Sequence, residues 1–222
     1  MPNVITIDGP TSSGKSSVGY LFSQKIGYQF IDTGRIYRAG ALYILRNEIP
    51  IDDEDKVASV FENLDIHFRK IDGKVKIFLL DEDVTANIHT PEVTFIVPKI
   101  AAFAKARNFA KQLQRKIGSL EDTVMAGRDI GSEIFPDSKL KFFITADAKV
   151  RATRRYDQIK KTDPNADFEK VLESMEKRDS DDSTREASPM RIPKDALVID
   201  TTNLTTEETV EKMMEAYKKV FD

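Results

Sequence analysis

The chain contains no cysteine, which excludes disulfides and thiolate-held metal sites and fits a reducing compartment. It has only two histidines, His67 and His89, and neither lies at metal-ligand spacing from a partner, so both read as incidental. No apolar run approaches the ~20 residues needed to span a bilayer, and the first residues show no basic-then-apolar leader. A cytoplasmic protein without membrane contact is expected. A strong charge of either sign is also missing. The net charge of −3 argues against a general nucleic-acid binder and makes any basic cluster local and purposeful. Internal repeats and low-complexity segments are absent too. What remains, 40% apolar and 32% charged residues over 222 positions, describes a soluble globular chain long enough for one substantial core and a small inserted module.

The most informative stretch is Asp8-Gly9-Pro10-Thr11-Ser12-Ser13-Gly14-Lys15-Ser16-Ser17. It carries the pattern G-x-x-x-x-G-K-[ST] from Gly9 to Ser16. The β-branched run Val4-Ile5-Thr6-Ile7 before it suits a buried parallel strand, and Val18, Leu21, Phe22 and Ile26 after it fall at helical spacing. Strand, glycine loop and helix together are the context of a phosphate-binding loop; an ordinary Gly/Ser turn is the plainer alternative. Gly9 and Gly14 let backbone N–H groups turn inward as an anion nest, reinforced by the positive end of the following helix. Residues 9–17 are therefore the expected site of a nucleoside triphosphate. Lys15 is expected on the β- and γ-phosphates, and the Ser16 hydroxyl on Mg²⁺.

Residues 28–31 read as a second short strand, ending in Asp32-Thr33-Gly34-Arg35-Ile36-Tyr37-Arg38, which opens a helix through about Asn47. Thr33 is the expected N-cap, with Tyr37 four residues on at the same side of the helix start. A charged linker over 52–56 leads to alternating apolar and polar residues at 64–71 and 74–80 around Asp72-Gly73, a hairpin signal. A third short strand is expected within 83–88. This antiparallel unit interrupts a βαβ pattern and reads as an insert. One long helix is expected over 91–117, with Pro91 in its first turn and Val93, Ile96, Ile100, Phe103 and Ala104 as its apolar face. Arg107 continues that face. Taken alone, it favours a stem snorkelling to water over a guanidinium turned toward an acidic ligand.

Residues 123–126 form a short strand closed by Gly127-Arg128-Asp129-Ile130-Gly131. An arginine–aspartate pair at a strand's carboxyl end sits where α/β sheets place ligands; a surface ion pair in a turn is the alternative. Buried strands are expected at 140–145 and 196–200, and a closing helix at 206–221. Between them, a helix over 150–161 sets Arg151, Arg154 and Arg155 on one face, where like charges repel. A solvated face is the plainer reading of that cluster and an anion-binding lid the sharper one. Phe168, Val171, Leu172 and Met175 give a further helix ending at Arg178-Asp179, before a charged loop over 180–185.

A phosphoryl donor at 9–17 needs an acceptor and compensating positive charge, since phosphoryl transfer is mostly positioning plus neutralisation of the equatorial oxygens. Arg38, Arg107, Arg128, Arg151, Arg154, Arg155, Arg178 and Arg185 supply that charge in an otherwise acidic chain. An acceptor that is itself a phosphate follows, and with it a nucleoside monophosphate kinase.

From residue 4 to about 210 the chain resembles the bacterial cytidylate kinases. The supporting blocks are Ile7-Asp8-Gly9-Pro10 through Ser17, Asp32-Thr33-Gly34 with Tyr37-Arg38, Gly127-Arg128-Asp129-Ile130-Gly131, Phe135-Pro136-Asp137, Arg154-Arg155-Tyr156, Arg178-Asp179 with Asp182-Ser183-Thr184-Arg185, and Asp200-Thr201-Thr202. The resemblance implies an α/β, P-loop NTPase-type three-layer fold: a central parallel sheet, an NMP-binding insert with a small antiparallel sheet, and a mobile lid. One kinase domain would span 1–222, with its core at 1–35, 118–146 and 190–222. The NMP-binding region would lie at about 36–117, with the antiparallel insert at about 64–88, and the lid at about 147–165. The implied reaction is ATP-dependent phosphorylation of CMP and dCMP with Mg²⁺, by a monomer that takes neither nucleic acid nor membrane as partner.

Carried over residue by residue, the resemblance puts Thr33, Arg38 and Arg185 around the acceptor phosphate with Tyr37 beside them. It puts Arg107 and Asp129 on the cytosine edge, reversing the snorkelling expectation, and Arg178 and Asp182 on the sugar side. Arg128 approaches the phosphates, and Arg151, Arg154 and Arg155 close over the transferring group. Lys15, Arg128, Asp129 and these three arginines make the implied catalytic set. The chain departs from the family pattern at Ser12 and Ser13, where Gly/Ala is common, and at Ser17, where threonine is frequent. It also departs at Arg35 (usually alanine), Ala126 (often an acid) and Pro98 (often a hydroxyl residue). Kinases for UMP, AMP or shikimate share the loop but not the later blocks, and a guanine-nucleotide switch needs an Asn-Lys-x-Asp motif that this chain lacks.

Overall fold

The computed structural model describes residues 2–161 and 163–221. β1 (Val4–Asp8) carries the β-branched run and is buried from Ile5 onward. The glycine loop passes into α1 (Lys15–Ile26), which buries Val18 and Phe22 but turns Leu21 to solvent. β2 (Gln29–Asp32) and α2 (Gly34–Arg46) repeat the unit. In place of the linker that the 52–56 charge run predicts stands α3 (Glu54–Glu62). Its charges suit a helix start: the Asp53 side chain accepts from Lys56 N–H, and Glu54 and Asp55 lie at the positive end, while Val57, Val60 and Phe61 are buried.

The insert is a hairpin of β3 (Ile66–Ile71) and β4 (Lys74–Leu79), paired antiparallel about Asp72-Gly73 as expected. The third strand is shorter than expected: β5 is Glu82–Asp83, and a 3-10 turn at Asn87–His89 takes up the rest. The single helix predicted over 91–117 is two, α4 (Pro91–Ala102) and α5 (Ala104–Gly118), broken at an extended Phe103. The break has a tertiary cause. Lys105 N–H, which would serve the Ala101 carbonyl in a continuous helix, donates to Glu54 Oε1, and Arg107 Nη1 takes that carbonyl at 3.1 Å. Ala104 is exposed, so the apolar face stops short of it.

β6 (Thr123–Ala126) is followed by one π-helical turn at Ile130–Ile134, then β7 (Leu140–Thr145), α6 (Ala148–Lys160), α7 (Phe168–Thr184), β8 (Leu197–Asp200) and α8 (Thr206–Phe221). α7 runs on through most of the stretch predicted as a charged loop at 180–185, because Asp182 finds cationic partners across the molecule instead of solvent. Of the predicted lid, residue 162 lies outside the described residues. β8 is an edge strand; Leu197 and Val198 are exposed and only Ile199 is buried, against the expectation of a buried strand.

The large sheet is parallel, in the order β2-β6-β1-β7-β8. Alternation along β6 divides its side chains: Val124 and Ala126 pack with α1 and α8 residues, Met125 with the α2–α5 side. The sheet is thus the middle of three layers. Its carboxyl ends, at Asp8, Asp32, Ala126, Thr145 and Asp200, all open on one edge.

Candidate active site

That edge is a cleft of about 920 Å³ in which basic side chains outnumber acidic ones ten to four. One wall of it is the glycine loop. Gly9 has φ 144°, and a Cβ there would stand 2.0 Å from the Ile144 carbonyl oxygen, so the loop passes β7 at a distance only glycine permits. Lys15 is 7% exposed; its Nζ donates to Pro10 O at 2.5 Å and to Ser13 Oγ at 3.3 Å. Burial, and then the charge of Arg128, hold its pKa well below the usual lysine value. An anion seated in the loop relieves that penalty, so lysine charge and phosphate binding reinforce one another. Ser16 Oγ donates to Asp32 Oδ2 at 2.7 Å, setting two hard oxygen ligands at the loop's mouth, a donor set that fits Mg²⁺.

Thr33 stands at the N-cap of α2 as expected, but its side chain makes no capping bond. Its hydroxyl donates to Ala126 O at 3.0 Å, and Asp32 Oδ1 accepts from Gly34 N–H at 3.0 Å in its place.

From Thr11 an alternating series of arginines and aspartates crosses the cleft floor. Arg128 donates from Nη2 to Thr11 Oγ1 at 2.8 Å and from Nε to Asp182 Oδ2 at 2.9 Å. Asp182 Oδ1 accepts from Arg185 Nη1 at 3.1 Å, and Arg185 Nη2 stands 3.7 Å from Asp129 Oδ1. Asp129 Oδ2 accepts from Arg107 Nη2 at 2.6 Å. Arg107 is 2% exposed, so it does not snorkel; its guanidinium lies 5.7 Å from the Tyr37 ring centroid. Burial pulls its pKa down, but Tyr37 and Asp129 hold it above its usual value. For Asp182 burial raises the pKa, yet Arg128, Arg178 and Arg185 together keep it below the usual carboxylate value.

Three cations are left over. Arg38 spends Nη1 on Ile88 O and Thr94 Oγ1. The Arg178 side chain makes no hydrogen bond or ion pair among the described residues. Burial and then Arg128 push its pKa down to about 10, so it stays charged at neutral pH, with Arg38 and Arg155 adding to the repulsion. Among the described residues the Arg155 side chain bonds only Gln158 Oε1, at 3.4 Å. These three arginines, from α2, α7 and α6, form a seat in which none of the three is ion-paired among the described residues.

The α6 arginines therefore do not act alike, against the expectation of one shared face. Arg151 is buried and ion-paired with Asp179, with its Nε on Ala146 O, and is not among the residues lining the cleft. Arg154 donates to Thr201 Oγ1 and Thr201 O, on the side where the cleft runs to Leu204 and Thr205. Arg155 alone faces the other surplus cations.

Comparison with known proteins settles the family. A profile of the family described as cytidylate kinase matches residues 5–219. The chain belongs to the cytidylate kinase family. Its similar relatives include the cytidylate kinase of Caldanaerobacter subterraneus subsp. tengcongensis, 42% identical over 97% of this chain and 94% of that protein. That of Pasteurella multocida is 35% identical over 99% of this chain and 96% of that one. In fold alone, the chain resembles shikimate kinase from Acinetobacter baumannii, at TM-score 0.50 and 13% identity, over 99% of this chain and 94% of that one.

At four of the positions where the chain departs from the cytidylate kinase pattern, the structure shows the residue's place. Arg35 donates to Val75 O at 3.0 Å, tying α2 to the insert hairpin. Ala126 contributes its carbonyl to Thr33 N–H and Oγ1. Pro98 is exposed and does not line the cleft; Val97 and Ala101 of α4 do. Ser13 is fully buried, its hydroxyl under Lys15. Reading the sequence singled out neither Asp8, Asp32, Asp179 nor Thr201 as site residues. An acid at the carboxyl end of a strand was the available signal for Asp8 and Asp32. Thr201 carries no such mark, although its Oγ1 donates to Ser13 O, bracing the loop from β8.

Asp8 sets the turn that carries Arg128 and Asp129. It is fully buried, and its oxygens accept from Ile130 N–H at 2.8 Å and Gly131 N–H at 2.7 Å. Burial raises its pKa to about 6 despite those two bonds. A carboxyl raised in the folded state favours folding while protonated, and that contribution is lost as pH rises from about 4 through about 6. Urea melts from pH 4 to 7 should therefore show the stability margin of the wild type over Asp8→Asn shrinking as pH rises. A margin independent of pH would contradict the assignment.

Proposed function

We propose that this chain transfers the γ-phosphoryl group of ATP to CMP and dCMP, giving CDP and dCDP. One arrangement carries the reading: the surplus arginines 38, 155 and 178 line the same cleft as the glycine loop and the buried Arg107–Asp129 pair. A nucleoside monophosphate carries the matching groups, an anion to face the donor and a polar base edge. Arg107 and Asp129 offer a donor and an acceptor to the cytosine edge. Arg38 and Arg185, with Thr33 and Tyr37 beside them, hold the acceptor phosphate and its surroundings, and Arg178 and Asp182 face the sugar.

The loop amides between Gly9 and Ser17, except at Pro10, which has no N–H, and at Thr11, whose N–H is held by Asp179, bind the donor phosphates together with Lys15, and Arg128 closes on them from the Gly127–Gly131 turn. Ser16 and Asp32 would hold Mg²⁺, which would supply positive charge to the donor phosphates. Acceptor and donor oxygens need alignment more than covalent help, so the protein's part is orientation and charge. In this reading residues 36–117 carry the acceptor, with the insert at 64–88, and 147–165 act as the lid over the core at 1–35, 118–146 and 190–222. Each named residue lies on one chain, and we take the working unit as a monomer using cytoplasmic nucleotides.

ADP release measured across CMP, dCMP, UMP, AMP, GMP and shikimate tests this. CMP and dCMP should be the best acceptors, UMP weaker and purines poor, because a site built to pair a base edge leaves buried polar groups unpaired with the wrong one. Efficient AMP turnover without CMP turnover would refute the acceptor assignment while leaving a kinase.

A further inference from the structure

Thr11 has all three of its polar groups taken by residues far along the chain. Its N–H donates to Asp179 Oδ1 at 3.0 Å, its carbonyl accepts from Arg151 Nη1 at 3.0 Å, and its hydroxyl accepts from Arg128 at 2.8 Å. Asp179 Oδ2 is also ion-paired with the same Arg151 Nη1. Carboxylate, guanidinium and the loop peptide thus close a ring that joins α6 and α7 to the glycine loop. A carboxylate that accepts from both a loop amide and an arginine receives what a phosphate oxygen receives, and it holds both donors in place before any phosphate arrives.

We propose that Asp179 is a positioning residue for the donor site: it fixes the Thr11 peptide and draws Arg151 out of the cleft, so that the loop keeps its phosphate-ready shape. The proposal rests on the kinase reading above. Arg151 is 8% exposed and its partner is this carboxylate, so its charge is matched internally, unlike that of Arg155. α7 carries Asp179 one turn from Asp182, so the helix that braces the loop also holds the arginine–aspartate series.

The test uses the full chain and compares Asp179→Asn with the double variant Arg151→Met/Asp179→Leu. Asp179→Asn keeps an oxygen but loses the charge. The KM for ATP should rise about tenfold, the scale of one charge-assisted hydrogen bond, with the KM for CMP changed less than about twofold. Its melting temperature should fall, because Arg151 is left buried without a counter-charge. The double variant removes both charges, so its melting temperature should recover while the KM for ATP stays raised. If the ATP KM followed the melting temperature in both variants, or stayed at the wild-type value in Asp179→Asn, the residue would be a stabilising ion-pair partner only. A wild-type chain that failed to phosphorylate CMP would instead refute the kinase reading.

Discussion

Replacing Lys15 by alanine should lower turnover by on the order of 10³-fold while leaving the circular dichroism spectrum unchanged. The side chain makes its two contacts within the loop itself, to Pro10 O and Ser13 Oγ, and belongs to neither hydrophobic cluster, so the fold does not depend on it. Its low pKa says the same thing energetically: the protein buries this amine beside the like charge of Arg128, a cost that makes sense where several phosphate oxygens join it. Steady-state ADP release with purified, folded Lys15→Ala is the measurement. Wild-type turnover in that variant would remove the donor assignment.

Arg155→Met should be the most damaging of the three substitutions on α6, costing on the order of 10³-fold in kcat with little change in CMP affinity. The ranking follows from what each guanidinium already has. Arg151 is neutralised by Asp179, and Arg154 is held by Thr201, so neither is free to follow charge that builds up during transfer. Arg155 has one long bond to Gln158, and its charge lowers the pKa of Arg38 and of Arg178, which marks it as pointing at the seat between them. A group already satisfied in the ground state gains little at the transition state; an unsatisfied one gains most. The three Met variants, assayed at matched ionic strength for kcat and CMP binding, separate these roles. Equal, small effects from all three would reduce α6 to a solvated helix face.

The phosphate loop was legible in the sequence because its determinants are contiguous: two glycines, a lysine and a serine between a β-branched run and an amphipathic helix. The Gly127–Gly131 turn was legible as a site, and the cluster of arginines as an anion-binding requirement. The direction of Arg107 was not. Its position on an apolar stripe is equally compatible with water and with a buried partner, and Asp129, which decides the matter, lies 22 positions away. The break at Phe103 was illegible for a similar reason, since Glu54 takes the Lys105 N–H from 51 residues away. α3 was hidden by its own acidic first turn, which a linker and a helix start share. Local rules fail here where a tertiary hydrogen bond outbids the helical one.

The bracing of the glycine loop also sets the order in which a working molecule comes into being. Thr11 meets Arg128, Arg151 and Asp179 across separations of 117, 140 and 168 residues, and Ser13 meets Thr201 across 188. Such contacts have high loop-closure entropy and form late, after local helices and hairpins. At ribosomal rates of about 5–20 residues per second, the loop waits roughly 10 to 40 seconds between its own synthesis and that of its last brace. For the first part of that interval Asp8 lacks Ile130 and Gly131, and Gly9 lacks the strand it must pass so closely. The nucleotide-binding loop is among the earliest segments made and among the last to acquire its shape.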